Sequence, residues 1–212
     1  MIEKREQYRT HVLGFIAIIY AVGVVGLSTE EFHSAFIDLT PLSLCLTACI
    51  MIAYTHRTSK ILLWCLFAFV IGFGVEVAGV QTGVIFGEYK YSHVLGIHLF
   101  NTPLMIGVNW LLLSYGAAKI VSDLKFHALL KSLVGALMLV GLDVLIEPVA
   151  IELNFWSWAG NSIPLQNYLA WGIVAFIIQA AYHFYVIESK NKIVSGLFLI
   201  QILFFSILNI VL

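Results

Sequence analysis

Charge is what this 212-residue chain most lacks. It carries eleven Lys+Arg and twelve Asp+Glu, so only 11% of its residues are charged, against 61% hydrophobic. Soluble domains run at about 25% charged and 45–50% apolar. With a mean hydropathy of +0.97, one water-soluble core of this size has no room for the apolar surface, so lipid is the expected solvent. A net charge of −1 leaves no polybasic surface, which excludes nucleic acid as a partner. Only three cysteines occur, Cys45, Cys49 and Cys65. They sit in apolar runs without metal-ligand spacing and read as small buried hydrophobes.

Other absences narrow the class further. His93 and His98 lie in a loop and form no histidine box, and His183 is the one histidine well inside an apolar run. Ligands for a membrane di-iron site or a bis-histidine haem are therefore missing. The last apolar run has no lysine for a retinal Schiff base. No small-residue cleavage site follows the first, so it reads as a span and not a signal peptide. Internal repeats, linkers and low-complexity tracts are absent, and residues 1–212 read as a single polytopic membrane domain.

What is present is a series of apolar runs. A bilayer core of about 30 Å needs roughly 20 apolar residues in a helix. Seven runs fit: His11–Leu27, Ala35–Tyr54, Ile61–Val80, Thr102–Val121, Ala128–Val149, Leu165–Ile187 and Ile193–Leu212. The expected fold is an all-α integral membrane protein of about seven transmembrane helices. Lys4, Arg5, Arg9, Arg57, Lys60, Lys119, Lys125, Lys131, Lys190 and Lys192 fall on one side of an alternating seven-span arrangement, and Lys90 falls on the other. The positive-inside rule then puts the N-terminus in the cytoplasm and the C-terminus outside. A bacterial inner membrane fits this pattern.

Intramembrane carboxyls cost about 2.5–3.5 kcal/mol each on insertion scales and call for a reason. Glu76 lies sixteen residues from Lys60, and Asp143 sixteen from His127. Sixteen residues span about 24 Å of helix, which sets both carboxyls at one depth near the non-cytoplasmic side. Glu147 follows Asp143 at i+4, on the same face. Asn109 and Trp110 sit on the fourth run. The loops at that end are rich in aromatics and amides: Gln81–Tyr91, continuing to Asn101, and Glu152–Asn161, continuing through Pro164, Gln166 and Asn167. Trp156 and Trp158 can equally be an aromatic belt. Asp143 and Glu147 can equally be structural, paired with Lys90 or Asn109. Gly83 and Gly87 suit tight turns.

Two stretches carry a resemblance. Glu76–Tyr91 (EVAGVQTGVIFGEYKY) is followed by Asn101–Trp110 (NTPLMIGVNW). Later come Asp143–Pro148 (DVLIEP), Phe155–Trp158 (FWSW), Ile163–Asn167 (IPLQN) and Trp171. Together they resemble the carotenoid biosynthesis membrane protein family that includes CruF-type carotenoid 1,2-hydratases, over about residues 61–176. The resemblance implies addition of water to the terminal C1–C2 double bond of an acyclic end group on a carotenoid of lycopene or γ-carotene type.

Such chemistry begins with protonation of C2, leaves a tertiary cation at C1 and ends with water attack. It needs a carboxyl held protonated, which burial and a second carboxylate favour. Asp143 or Glu76 is the candidate proton donor and Glu147 the base that positions water. Asn109 and Asn167 are candidates to hold that water. Trp110, Trp158, Tyr89 and Tyr91 are candidates for cation–π stabilisation, worth about 2 kcal/mol when desolvated. No metal or organic cofactor is required, and a long polyene enters sideways from lipid. A non-catalytic carotenoid- or lipid-binding or scaffolding protein is the alternative reading, and proton-coupled transport a third.

Overall fold

The computed structural model describes residues 8–186 and 191–212. Lys4, Arg5 and Lys190, used in the charge pattern above, and Ile187, the expected end of the sixth run, lie outside the described residues. The helices are α1 Arg9–Ser28, α2 Glu30–Asp38, α3 Thr40–Tyr54, α4 Ser59–Thr82, α5 Leu104–Ser122, α6 Ala128–Glu152, α7 Leu165–Tyr185 and α8 Lys192–Val211. Six of them, α1 and α4 to α8, are long and apolar enough to cross a membrane. The second apolar run is not one straight span. It breaks at Leu39, and α2 and α3 meet at 54°. Pro41 explains the break, since it occupies the first turn of α3, where its missing N–H costs nothing, but cannot continue a helix from α2. Counted as one span, the bent pair makes the seventh.

The protein is thus an all-α, multi-pass membrane protein organised around α5. Thirteen of the nineteen residues of α5 are buried, and it packs against α3, α4, α6, α7 and α8. α1 has only Ile16, Gly26 and Leu27 buried and rests mainly on α8 and α2. Close approach between α4 and α5 depends on Gly72: a Cβ there would lie 2.4 Å from the Cβ of Trp110. Trp110 therefore slides under α4, one turn from Glu76.

Helix ends carry their own signals. The hydroxyl of Thr58 accepts from Ile61 N at the start of α4, and His127 Nδ1 accepts from Leu130 N at the start of α6, which satisfies first-turn donors. Gly83, at φ +67°, ends α4 in the left-handed conformation.

The connections read as loops in the sequence contain paired backbone. β1 (Tyr89–Tyr91) runs antiparallel to β4 (Trp156–Trp158), with Tyr89 opposite Trp158 and Tyr91 opposite Trp156. β2 (His98–Leu99) pairs with β3 (Thr102–Pro103). Ser92 N donates to Phe155 O at 3.0 Å and Ala159 N to Glu88 O at 2.9 Å. The two connections thereby form one cap across the ends of α4 and α6 and the beginnings of α5 and α7. At Gly79 an added Cβ would lie 2.6 Å from Phe86 and 3.0 Å from the Tyr89 hydroxyl, so a side chain there would push this cap away from α4.

Candidate active site under the loop cap

Three carboxyls meet beneath the cap. Glu76 on α4 is 3% exposed, and Asp143 and Glu147 on α6 are 1% and 2% exposed. The i, i+4 spacing does align the α6 pair, and α4 presents Glu76 to the same space. Glu76, Asp143 and Glu147 line one small cavity with Tyr89, Tyr91, Asn109, Trp156, Trp158, Asn167 and Trp171, closed by Phe86, Ile106 and Ile146. Its volume is about 20 Å³. That is room for about one water, which needs some 10–15 Å³ and two to four polar partners.

Donors converge on these carboxyls. Glu76 Oε2 accepts from the hydroxyls of Tyr89 (2.6 Å) and Tyr91 (2.8 Å), and its Oε1 accepts from Trp110 Nε1 (3.0 Å). Glu147 Oε2 accepts from Trp158 Nε1 (2.8 Å) and Trp156 Nε1 (3.1 Å). Asn167 Nδ2 reaches Asp143 Oδ2 at 2.9 Å and Glu147 Oε1 at 3.4 Å. Among the described residues, Asp143 Oδ1 is the one carboxyl oxygen of the six with no donor. The arrangement separates the carboxyls by role: Glu76 and Glu147 are held on both oxygens, and Asp143 keeps one oxygen open.

Tyr89 and Tyr91 lie outside the spans, on β1. Burial first, and the adjacent Glu76 carboxylate second, push both phenols well above the ordinary tyrosine range. They remain O–H donors under all ordinary conditions. The register of β1 on β4 stacks the same residues: Tyr89 and Trp158 ring centroids are 4.9 Å apart, Tyr91 and Trp156 5.8 Å. Aromatic pairs at these distances add packing energy beyond burial. One strand pair therefore carries the donors to the Oε2 atoms of both glutamates.

The structure gathers eight of the nine sequence candidates on the cavity wall. Trp110 stands behind it, donating to Glu76 and stacked on Trp171 at 3.9 Å and 21°. Asn109 lines the cavity, and its side chain makes no hydrogen bond among the described residues, so its amide is available to a guest. The partners of Asp143 and Glu147 are Asn167 and the two tryptophans, not Lys90 or Asn109. Trp156 and Trp171 lie in the stretches that carry the resemblance but were not among the candidate site residues. Trp156 is one of two tryptophans in a run that fits a membrane belt equally well, and nothing local separates a ring in the headgroups from one folded over a carboxylate. Its two-residue spacing from Trp158 was the available signal, since i and i+2 share a face of a strand.

A family model described as carotenoid biosynthesis protein matches residues 39–212. The chain belongs to the carotenoid biosynthesis protein family. It is also 29% identical over 122 residues to a bisanhydrobacterioruberin hydratase of Haloarcula japonica, a match covering 50% of this chain and 40% of that relative. No solved structure matches the chain. The matched region includes every residue of the cavity.

Proposed function

We propose that this carotenoid biosynthesis protein is a cofactor-independent hydratase that adds water across the terminal C1–C2 double bond of an acyclic carotenoid end group. The observation that carries the reading is the single donor-free oxygen, Asp143 Oδ1, at a cavity sized for one water. A general acid needs an oxygen that can carry a proton toward substrate. On Glu76 and Glu147 every oxygen already faces an O–H or N–H group. On Asp143, Oδ1 faces none.

Asp143 delivers its proton to C2. The alkene π pair forms the new C–H bond, the O–H bond breaks, and C1 becomes a tertiary cation. The ring faces of Trp156, Trp158 and Tyr89 and the two glutamates surround that charge. Water held by the Asn109 amide attacks C1, and Glu147 takes the proton that the new C–OH loses. The proton returns from Glu147 to Asp143, which Asn167 already bridges, through the next water to enter. Glu76, held by two phenols and Trp110, fixes β1 and the cap over the site.

The same reading sets the orientation. Arg9, Arg57, Lys60, Lys119, Lys125, Lys131 and Lys192 all belong to the helix ends or turns opposite the cap, and Lys90 lies in it. Under the positive-inside rule the cap faces away from the cytoplasm of a bacterial inner membrane.

The test is expression in a host that accumulates lycopene or γ-carotene. A pigment heavier by one water, carrying a tertiary hydroxyl, is the expected product. Unchanged pigment with the protein intact in the membrane overturns the hydratase reading, and pigment co-purifying unaltered would assign the protein to binding instead.

A further inference from the structure

A second, far larger cavity adjoins the first. Its volume is about 390 Å³, within the range of small-molecule sites but at its lower end. The two share Ile106, Asn109, Ile146 and Trp156 on their walls, so the carboxyl cavity is the polar end of a long apolar one. α1 supplies one wall through Ile18, Val22, Gly23 and Leu27. The bent pair α2–α3 supplies another through Phe36, Leu42 and Leu46, and α8 closes the back with Phe204 and Phe205. Ile18, Val22, Leu42 and Leu46 are also exposed on the outside of the bundle. The cavity therefore opens to lipid between α1 and α3. Where those helices meet, the Tyr20 and Thr47 hydroxyls lie 3.3 Å apart. Gln201, on the same cavity wall, is buried.

We propose that this cavity receives the hydrocarbon chain of the substrate, threaded from lipid between α1 and α3 with its end group at Asn109 and Asp143, and that α1 and α2 set which chains the site accepts. The proposal rests on the hydratase reading for what happens at the end group. It goes beyond that reading in assigning selection to α1 and α2, which lie wholly before the family match at residues 39–212.

The occupant follows from shape and chemistry. One wall after another is aliphatic or phenyl, which suits a linear polyene or isoprenoid chain and offers no charged group to a phospholipid head. The pocket is too small for an entire long carotenoid, so the remainder of the chain stays in the bilayer.

The experiment compares wild type with Val22→Trp/Leu42→Trp at the mouth, Gly23→Leu inside, and Leu203→Trp on the lipid face of α8 as control. Each is assayed in membranes with a long acyclic carotenoid and with a short open-chain isoprenoid bearing the same end group. Pigment bound to the purified protein is also measured. In the mouth and inner variants, hydration of the long chain should fall by roughly a hundredfold, as for a misplaced reacting end. Their bound pigment should be lost, and turnover of the short substrate should fall by less than that of the long chain. Leu203→Trp should match wild type throughout. Unchanged long-chain turnover and pigment in both variants overturns the proposal and leaves the hydratase reading standing. Phospholipid in place of pigment in the purified wild type also overturns it. Wild type that binds pigment, loses it in the variants and hydrates neither substrate removes the hydratase reading while supporting the receptor.

Discussion

Two layers of buried polar groups lie on the same central helices, and they differ in what surrounds them. Under the cap, Glu76, Asp143 and Glu147 border a space and all but one of their six oxygens is donor-bound. Two turns or more away from the cap, α5 and α7 bury Ser114, Lys119, Gln179 and Tyr182. There Gln179 Nε2 donates to Ser114 O at 2.8 Å, Lys119 Nζ lies 5.5 Å from the Tyr115 ring centroid and 5.7 Å from that of Tyr182, and Trp64 Nε1 bonds Ile178 O at 3.0 Å. A Cβ on Gly135 would lie 2.6 Å from Gln179 Oε1, so α6 packs directly onto that amide. The second layer is closed by rings and backbone. The first is kept open by a cap that holds its donors from one side. Burial of polar groups marks both; a cavity with an open carboxyl oxygen marks only one.

Breaking the first layer at its open oxygen should have the largest effect. Asp143→Asn keeps the shape and the amide contacts but cannot deliver the proton, so turnover should fall about 10²–10⁴-fold, the usual worth of a general acid. Assay in pigment-producing membranes, with detergent size-exclusion as the folding check, measures this. Wild-type turnover in this variant would place the acid elsewhere.

Loosening the cap should cost less. Tyr89→Phe and Tyr91→Phe each remove one hydrogen bond to Glu76 and should each destabilise by about 1–3 kcal/mol, read as a lowered thermal midpoint in detergent. Trp156→Phe removes one of two donors to Glu147 Oε2 and should cost about 1 kcal/mol, with turnover reduced less than in Asp143→Asn.

The second layer provides the contrast. Gln179→Leu removes both the bond to Ser114 O and an acceptor that has no donor, so stability should move by about 1 kcal/mol or less and turnover should be unchanged. A loss of turnover matching Asp143→Asn would join the two layers into one functional unit. The smallest effect is a pH one. Because both phenols are raised in the folded protein, their contribution to stability is complete below the ordinary tyrosine value of about 10 and declines as pH rises past it. Double Tyr89→Phe/Tyr91→Phe protein should lose that alkaline decline in thermal midpoint.

The apolar runs told most of the fold. Helix limits move by only a few residues, as for Ile61–Val80 against Ser59–Thr82. The bend at Leu39 was not legible because Pro41 fits an N-terminal turn as easily as a loop. β1 and β4 were not legible because three residues are too few for a period-two pattern to stand out. Their pairing joins positions 89–91 to 156–158, a contact no local window contains.

Chain composition decided the solvent, the helices long and apolar enough to cross a membrane, and the placing of Glu76, Asp143 and Glu147 toward one end of their helices, because hydropathy and helical rise act residue by residue along one segment. Tertiary packing alone decided that Trp156 and Trp158 turn inward onto Glu147, that Asn167 bridges two carboxyls, and that α1 and α3 part to leave an apolar cavity. Those outcomes depend on which helices become neighbours, and on Gly72 and Gly79 letting them come close enough for the donors to reach.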